Sequence, residues 1–299
     1  MPPPGEGRRL RVHLATAVPA EIEEAIARDF ELVPTAPGAD GIVATPAVPV
    51  DASYLDGAGA QLRIVANYAV GTDNVDLEHA RTWGVVVTNT PDVLTQATAE
   101  LTIGLMLALL RRICEGDRMI RRRDRWQAAP EFMLGVALAG RDVLVVGPGR
   151  IGRRVAELVE AHGAHASFAG RDDDLVTQLS HADVVTLHCP LTSETRHLID
   201  ARALAAMKPS AVLVNTARGP VVDERALVAA LRAGILSGAA LDVYELEPHV
   251  SAELLELDNV VLTPHIASAT RETRLAMGML CVEALRAVLL EGRMPSNTV

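Results

Sequence analysis

The segment Asp142–Gly152, DVLVVGPGRIG, constrains the fold more than any other stretch of the chain. Its first five residues, mostly β-branched and aliphatic, predict a buried strand. Gly147, Gly149 and Gly152 then follow at the G-x-G-x-x-G spacing. The first glycine permits a tight strand-to-helix turn, the second lets backbone approach a pyrophosphate, and the third lets the helix pack closely on the strand. A helix over roughly Arg150–His162 would aim its first N–H groups and positive dipole end at the phosphates. Pro148 removes none of the useful donors, which come from later residues of the turn. Alone the spacing is a weak signal, because any glycine-rich strand-to-helix turn can produce it.

What flanks this segment makes it informative. From Arg141 onward strands are predicted near 142–146, 164–168, 183–187, 211–215, 238–242 and 260–262, with helices near 150–162, 173–180, 200–207 and 223–233. Six strands joined by helices of this length imply a parallel, doubly wound sheet. Upstream, Arg9–Leu14, Leu32–Val33, Gly41–Ala44, Leu62–Ala66 and Val85–Thr88 are short apolar runs. Helices are expected at Pro19–Asp29 and Leu77–Thr82, so this part is a second, smaller α/β layer. Thr95 is placed as the N-cap of a long apolar helix reaching about Arg112, the crossover between the two parts. Glu115–Pro130 reads as a polar linker. A last helix over Arg271–Leu290 returns to the first part.

At 299 residues, with 49% hydrophobic and 22% charged residues, the chain has the make-up of a globular protein of two domains. The net charge of −10 argues against nucleic acid as a partner. The basic run Arg121–Arg125 is broken by Asp124 and reads as a solvated face or subunit contact. Cys114, Cys189 and Cys281 lie far apart, giving neither a disulfide framework nor a metal knuckle and suiting a reducing compartment. The MPPPGEGRR start has no apolar signal core, and the apolar stretch Leu101–Leu110 is too short to span a bilayer. A cytoplasmic protein with no bound metal and no membrane contact is expected.

Three charged residues share one property. Arg218, Glu247 and His265 each lie just past the carboxyl end of a predicted parallel strand, on the edge where a dinucleotide at Gly147–Gly152 would also lie. Their types fit the reduction of a 2-oxo acid. A guanidinium holds a carboxylate and polarises a carbonyl. An imidazolium gives a proton to the carbonyl oxygen as hydride arrives from a nicotinamide. A carboxylate beside the histidine favours that protonated form. Individually each has a blander reading: Arg218 as a surface ion-pair residue, Glu247 as part of a solvated ELEP loop, His265 as a cap of the final helix.

The segments NYAVGTDNVDLEHA, VTNTPDVLTQATAE, VVGPGRIG, HCPLTSETRHLI, MKPSAVLVNTARGPVVDE, LDVYELEP and TPHIASAT carry a family resemblance. From about Leu62 to Val299 the chain resembles the D-isomer-specific 2-hydroxyacid dehydrogenases, particularly the glyoxylate and hydroxypyruvate reductase branch. The resemblance implies two flavodoxin/Rossmann-like, doubly wound parallel-sheet α/β domains with an interdomain cleft. Residues 1–93 with 270–299 would form the substrate-binding domain, and 94–269 the dinucleotide-binding domain. It further implies a homodimer formed through the cofactor domain. Arg218 then orients substrate, Glu247 is the carboxylate partner, and His265 is the acid/base. Backbone of Ala69, Val70 and Gly71 cradles the substrate carboxylate, with Ser268 also at the substrate. Along the glycine turn, Arg150 and Ile151 join Gly147, Gly149 and Gly152 at the cofactor. Thr95, Cys189, Pro190 and Thr195 match residues of the cofactor cleft, as do Thr216, Ala217 and Ala267, while Asp242 matches the position near the nicotinamide carboxamide. The chain before Leu62 and the stretch Glu115–Leu138 match the family poorly, so substrate size is the least transferable property.

The cofactor is expected to be NADP(H), with NAD(H) as the alternative. An NAD site usually carries an acid at the end of the second strand. Here Ala164–Phe168 runs into Ala169-Gly170-Arg171, and Arg171 can meet a 2′-phosphate. Asp172, Asp173 and Asp174 follow, where they can instead start the next helix. The reaction expected is reduction of a small 2-oxo acid, such as glyoxylate or hydroxypyruvate, to the 2-hydroxy acid. The alternatives are a phosphoglycerate, phosphite or formate dehydrogenase on the same scaffold, or an NAD(P)-sensing binding protein like the corepressor relatives of the family.

Overall fold

Strands and helices alternate along almost the whole chain of the computed structural model, which describes residues 8–299; the MPPPGEG segment lies outside the described residues. In order they are β1 (Arg11–Leu14), α1 (Ala20–Asp29), β2 (Glu31–Val33), β3 (Gly41–Ala44), α2 (Ala52–Ala58), β4 (Ile64–Asn67), α3 (Leu77–Thr82) and β5 (Val86–Thr88). Then come α4 (Thr95–Leu110), α5 (Ile113–Arg121), β6 (Asp142–Val146), α6 (Arg150–Ala161), β7 (His165–Ala169), α7 (Leu175–His181) and β8 (Val184–Leu187). The chain continues with α8 (Ala201–Ala206), β9 (Val212–Asn215), α9 (Glu224–Arg232), β10 (Gly238–Leu241), α10 (Ala252–Leu255), β11 (Val260–Leu262) and α11 (Arg271–Leu289).

The chain divides into two compact units: residues up to Leu94 together with Ser268–Val299, and Thr95–Ala267. The first holds a five-stranded parallel sheet in the order β2-β1-β3-β4-β5. One face buries Ile42, Ala44, Val65 and Val87 against Leu55, Val75 and Ala80 of the α2 and α3 region. The other face takes α1 and α11. Close approach there is enforced: a Cβ on Gly41 would come within 2.8 Å of Leu285, and one on Gly278 within 2.5 Å of Ile22. Arg63 donates to the carbonyls of Val288 and Leu289, placing a cation on the last turn of α11, where the helix dipole favours it.

The second unit holds a six-stranded parallel sheet, β11-β10-β9-β8-β6-β7. Successive strand residues face opposite ways. Val143, Val184, Val212, Val214 and Ala240 pack toward α4 and α6. Leu144, Val146, Val185, Leu187, Leu213 and Leu241 pack toward α7, α8 and α9. Both faces are thus covered, which is why the strands read as unbroken apolar runs. The chain leaves β6 through α6 to β7 on one side, then crosses back to β8 on the other. The carboxyl ends of β6 and β8 therefore form a topological switch point, where open α/β sheets bind ligands.

Several local expectations need correcting. Thr95 is the first residue of α4 and not its N-cap. Glu115–Pro130 is not simply a linker, because α5 runs to Arg121. The strand read as Ala164–Phe168 lies one residue later, at His165–Ala169, and α2 and α10 were not anticipated. Among the described residues no helix is long and apolar enough to cross a membrane.

Candidate active site

The glycine turn sits at the switch point. Gly147 has φ +98°, and a Cβ there would lie 2.6 Å from the amide nitrogen of Cys189, so only glycine lets the β6 and β8 loops meet. A Cβ on Gly152 would lie 2.2 Å from the Gly147 carbonyl oxygen and 3.0 Å from Val145, which fixes α6 tightly on β6. Gly149 differs: a Cβ there meets nothing of the protein within 4 Å. Its missing side chain serves no internal packing and keeps the approach to the start of α6 open. Gly149 is also the N-cap and, being glycine, supplies no side-chain acceptor to the first turn. Three glycines with these separate roles fit a dinucleotide pyrophosphate on the N-terminus of α6. Arg150 and Ile151 form the first turn of that helix.

Around the turn, Cys189 is buried and its thiol is pushed up to about 11 by that burial, so it stays neutral. Thr195 shapes the β8 loop, donating to the Pro190 carbonyl at 2.6 Å and accepting the Thr192 N–H at 2.8 Å. At the end of β7, Arg171 is exposed. Two of the three acids that follow, Asp173 and Asp174, are engaged in the loop itself. Asp173 accepts the Gly170 N–H at 2.6 Å, and Asp174 caps α7 by accepting from the hydroxyl and the N–H of Thr177. Its carboxyl is held below the ordinary value, chiefly by the Thr177 hydroxyl.

The three charged residues come from the ends of neighbouring parallel strands. β9, β10 and β11 are adjacent and in register, with Leu241 opposite both Asn215 and Leu262. Their loops therefore leave the sheet at one level, about 4.8 Å apart. Glu247 Oε2 accepts from His265 Nδ1 at 2.7 Å, and its Oε1 accepts the Tyr244 N–H at 3.0 Å. Burial acts to raise the Glu247 carboxyl. The hydrogen bond and charge of His265, the Tyr244 N–H and the charge of Arg218 outweigh it, holding the group below the usual carboxylate value. Because the carboxylate can only accept, His265 Nδ1 carries the hydrogen and Nε2 is the end that can exchange a proton.

His265 is in the left-handed region, φ +53°, which costs a non-glycine residue strain of order 1–3 kcal/mol. Asp242, fully buried, over-determines it. Its carbonyl accepts the His265 N–H at 2.8 Å. Its carboxylate accepts from the Ile266 and Ala267 amides, both at 2.8 Å, and from the Thr263 hydroxyl at 2.6 Å. The Arg218 turn is built by Asn215, whose side chain accepts the Ala217 N–H at 3.0 Å and donates to the Arg218 carbonyl at 2.9 Å. The Thr216 hydroxyl is turned into the core against Thr102 of α4 at 2.9 Å, so any contact of Thr216 with a cofactor falls to its backbone.

In the first unit the loop after β4 has a definite polarity. The Ala69 carbonyl accepts from the Thr90 amide, that of Val70 from the Asn89 side chain, and that of Gly71 from the Asn67 side chain, at 2.8, 2.9 and 2.8 Å. A planar trans peptide points its N–H opposite its carbonyl. The N–H groups of Val70, Gly71 and Thr72 are therefore turned away from these anchors, in the manner of an anion cradle. Ser268 begins the segment that leads from Ala267 into α11.

Sequence reasoning missed Asn215, Tyr244, Thr263, Asn67 and Asn89, whose roles are to hold loops. Asn215 and Asn67 had a local signal, each as a polar residue closing a buried strand. Among the described residues no group of three or more His, Cys, Asp or Glu could hold a metal ion.

Comparison with known proteins shows the family of the chain. The model of the D-isomer specific 2-hydroxyacid dehydrogenase NAD-binding domain matches residues 103–267. The chain is 47% identical over 257 residues to a glyoxylate reductase of Aeropyrum pernix, spanning 80% of this chain and 76% of that one. It is 44% identical over 236 residues to a glyoxylate/hydroxypyruvate reductase of Arabidopsis thaliana, spanning 76% and 75%. The structure superposes on the NADPH-dependent glyoxylate/hydroxypyruvate reductase of Sinorhizobium meliloti, solved with NADP and malonate, with a TM-score of 0.87 at 34% identity, covering 98% and 97% of the two chains. With its glycine turn at the sheet's switch point and its family model matching more than half of its length, the chain belongs to the D-isomer-specific 2-hydroxyacid dehydrogenases.

Proposed function

We propose that this protein reduces small 2-oxo acids, glyoxylate and hydroxypyruvate foremost, to 2-hydroxy acids with NADPH. The observation that carries the reading is the His265–Glu247 pair at 2.7 Å beside the Arg218 turn. Bound at the glycine turn, the cofactor would supply hydride. His265 Nε2 protonates the carbonyl oxygen, and Glu247 stabilises the imidazolium that donates. Arg218 holds the substrate's oxygens with paired donors, and in the other unit the Val70–Thr72 amides suit a carboxylate. Asp242 keeps the His265 turn in its strained form. Support for glyoxylate and hydroxypyruvate comes from the activities of the Aeropyrum, Arabidopsis and Sinorhizobium relatives.

The preference for NADPH rests on Arg171, with both carboxylate oxygens of Asp174 and one of Asp173 already accepting loop donors. The test is loss of NADPH absorbance, and separately of NADH, with glyoxylate, hydroxypyruvate, pyruvate and phenylpyruvate. Fast oxidation of NADPH with the two small acids is expected, and no turnover with any acceptor would overturn the reading.

We also propose a homodimer. α5 has no buried residue, and Ile113, Ile120, Trp126 and Leu134 are each more than half exposed. The three free thiols suit a cytoplasmic location.

A further inference from the structure

Glu245 lies two residues before Glu247 on the loop after β10, and its carboxylate ties that loop to those after β8 and β9. Oε1 accepts from His197 Nε2 at 2.7 Å, with Arg196 at 3.7 Å, both on the loop after β8. Oε2 accepts the N–H of Glu224, the first residue of α9, at 3.4 Å, and Glu224 returns the contact by accepting the Glu245 N–H at 3.1 Å. His197 is fixed in turn. It sits at φ +53°, and its amide donates to the Pro220 carbonyl at 2.8 Å. The β9 and β10 loops are also pressed together: a Cβ on Gly219 would lie 1.8 Å from the Tyr244 carbonyl oxygen and 2.5 Å from the Glu245 nitrogen. The residue before Gly219 is Arg218. The residue before Glu245 supplies the amide that holds Glu247 Oε1.

We infer that Glu245, clamped by His197, is a positioning residue that sets the Glu247 carboxylate against His265 and holds the Arg218 turn beside it. The carboxylate of Glu245 bonds to His197 and to the start of α9, so it acts on Glu247 through the Tyr244–Glu247 backbone. This rests on the proposed roles of His265 and Glu247.

The test compares Glu245→Ala, His197→Ala and His197→Gln with a Glu247→Gln control. Each is read as kcat and KM for glyoxylate across pH, with thermal midpoint and NADPH affinity measured alongside. Glu245→Ala and His197→Ala should lower kcat roughly 3- to 30-fold, the range of coupling through a packed network. Both should move the alkaline limb of the profile to lower pH by about half a unit to one unit, as a carboxylate less well held favours the imidazolium less. NADPH affinity should be unchanged. His197→Gln, which keeps a donor of similar reach, should restore both kcat and the limb. A wild-type pH profile in both alanine variants, with Glu247→Gln moving the limb, overturns the inference. If Glu247→Gln itself leaves the profile unmoved, the proposed roles of Glu247 and His265 fail first. Should Glu245→Ala not fold, the His197 pair decides alone.

Discussion

His265 Nδ1 lies 2.7 Å from Glu247 Oε2, which commits one ring nitrogen to the carboxylate and leaves the other as the proton-exchanging end. His265→Ala should therefore lower kcat for glyoxylate reduction by about 10²- to 10⁴-fold, the usual contribution of a positioned acid. NADPH affinity, measured by fluorescence titration, should hardly change. In the wild type, reduction should weaken as pH rises and the imidazolium is lost. On the acid side the midpoint should fall below 4.5, because the Glu247 carboxyl is held under that ordinary value. A His265→Ala enzyme with near-normal turnover would remove the histidine from the mechanism.

Arg171 and the acids after it make opposite predictions. If Arg171 meets the 2′-phosphate, Arg171→Ala should raise KM for NADPH by roughly 10-fold or more while leaving KM for NADH within about twofold, since a charge-assisted contact is worth about 1.5–3 kcal/mol. Asp173→Ala should disturb both cofactors alike, because Asp173 holds the Gly170 amide at the end of β7. A loss confined to NADH in Asp173→Ala would assign the acid to the ribose instead.

The glycines separate folding from binding. Gly152→Ala would force a methyl group to 2.2 Å from the Gly147 carbonyl oxygen, and overpacking of this kind costs typically about 1–3 kcal/mol. Gly149→Ala meets no protein atom within 4 Å, so its thermal midpoint should match the wild type while NADPH binding weakens. Equal loss of stability in both variants would contradict the assignment of Gly149 to the ligand.

These contrasts mark how far the sequence can be read. The glycine turn was legible because its spacing lies within eleven consecutive residues, and the strands were legible because burial on both faces leaves unbroken apolar runs. The end positions of Arg218, Glu247 and His265 followed from that alternation. What held them did not. Glu245 meets partners 21 and 48 residues away, Asp242 meets Ala267, and nothing near either acid in the chain signals the contact. α5 escaped notice because ICEGDRMIR is short, charged and broken by a glycine, and α2 because ASYLDGA is short and contains a glycine near its end.

His188 predicts an acid sensitivity of the fold. Its imidazole lies half-buried beside Thr186, 2.9 Å from the hydroxyl, and desolvation there pushes it down from 6.5 to about 3. Between those values the unfolded chain binds a proton that the folded chain refuses. Stability therefore falls as pH drops below about 6.5, by up to about 1.4 kcal/mol per unit, or about 2 kcal/mol by pH 5. Urea midpoints measured from pH 7 to 5 should show this slope in the wild type and a shallower one in His188→Gln, which keeps a partner for Thr186 without a titrating ring. Parallel slopes would mean that His188 is protonated in the folded protein.

The apolar surface of α5 and the segment after it should be an interface between two copies of the chain. Trp126 and Phe132 lie with ring centroids 6.5 Å apart, and both are exposed, as are Ile113, Ile120, Leu134 and Val136. Gly116 of α5 lies against Met133, and the Val136 amide bonds the Leu110 carbonyl, so this segment folds back along the helices and does not trail into solvent. Isolated soluble monomers rarely leave apolar side chains grouped in this way. Light scattering after size exclusion should give twice the chain mass for the wild type. Trp126→Glu combined with Ile120→Glu should give the single chain, because each copy of a two-fold interface would bring both new charges into a desolvated contact. A wild type that runs as a single chain at micromolar concentration would show that this face serves something other than self-association.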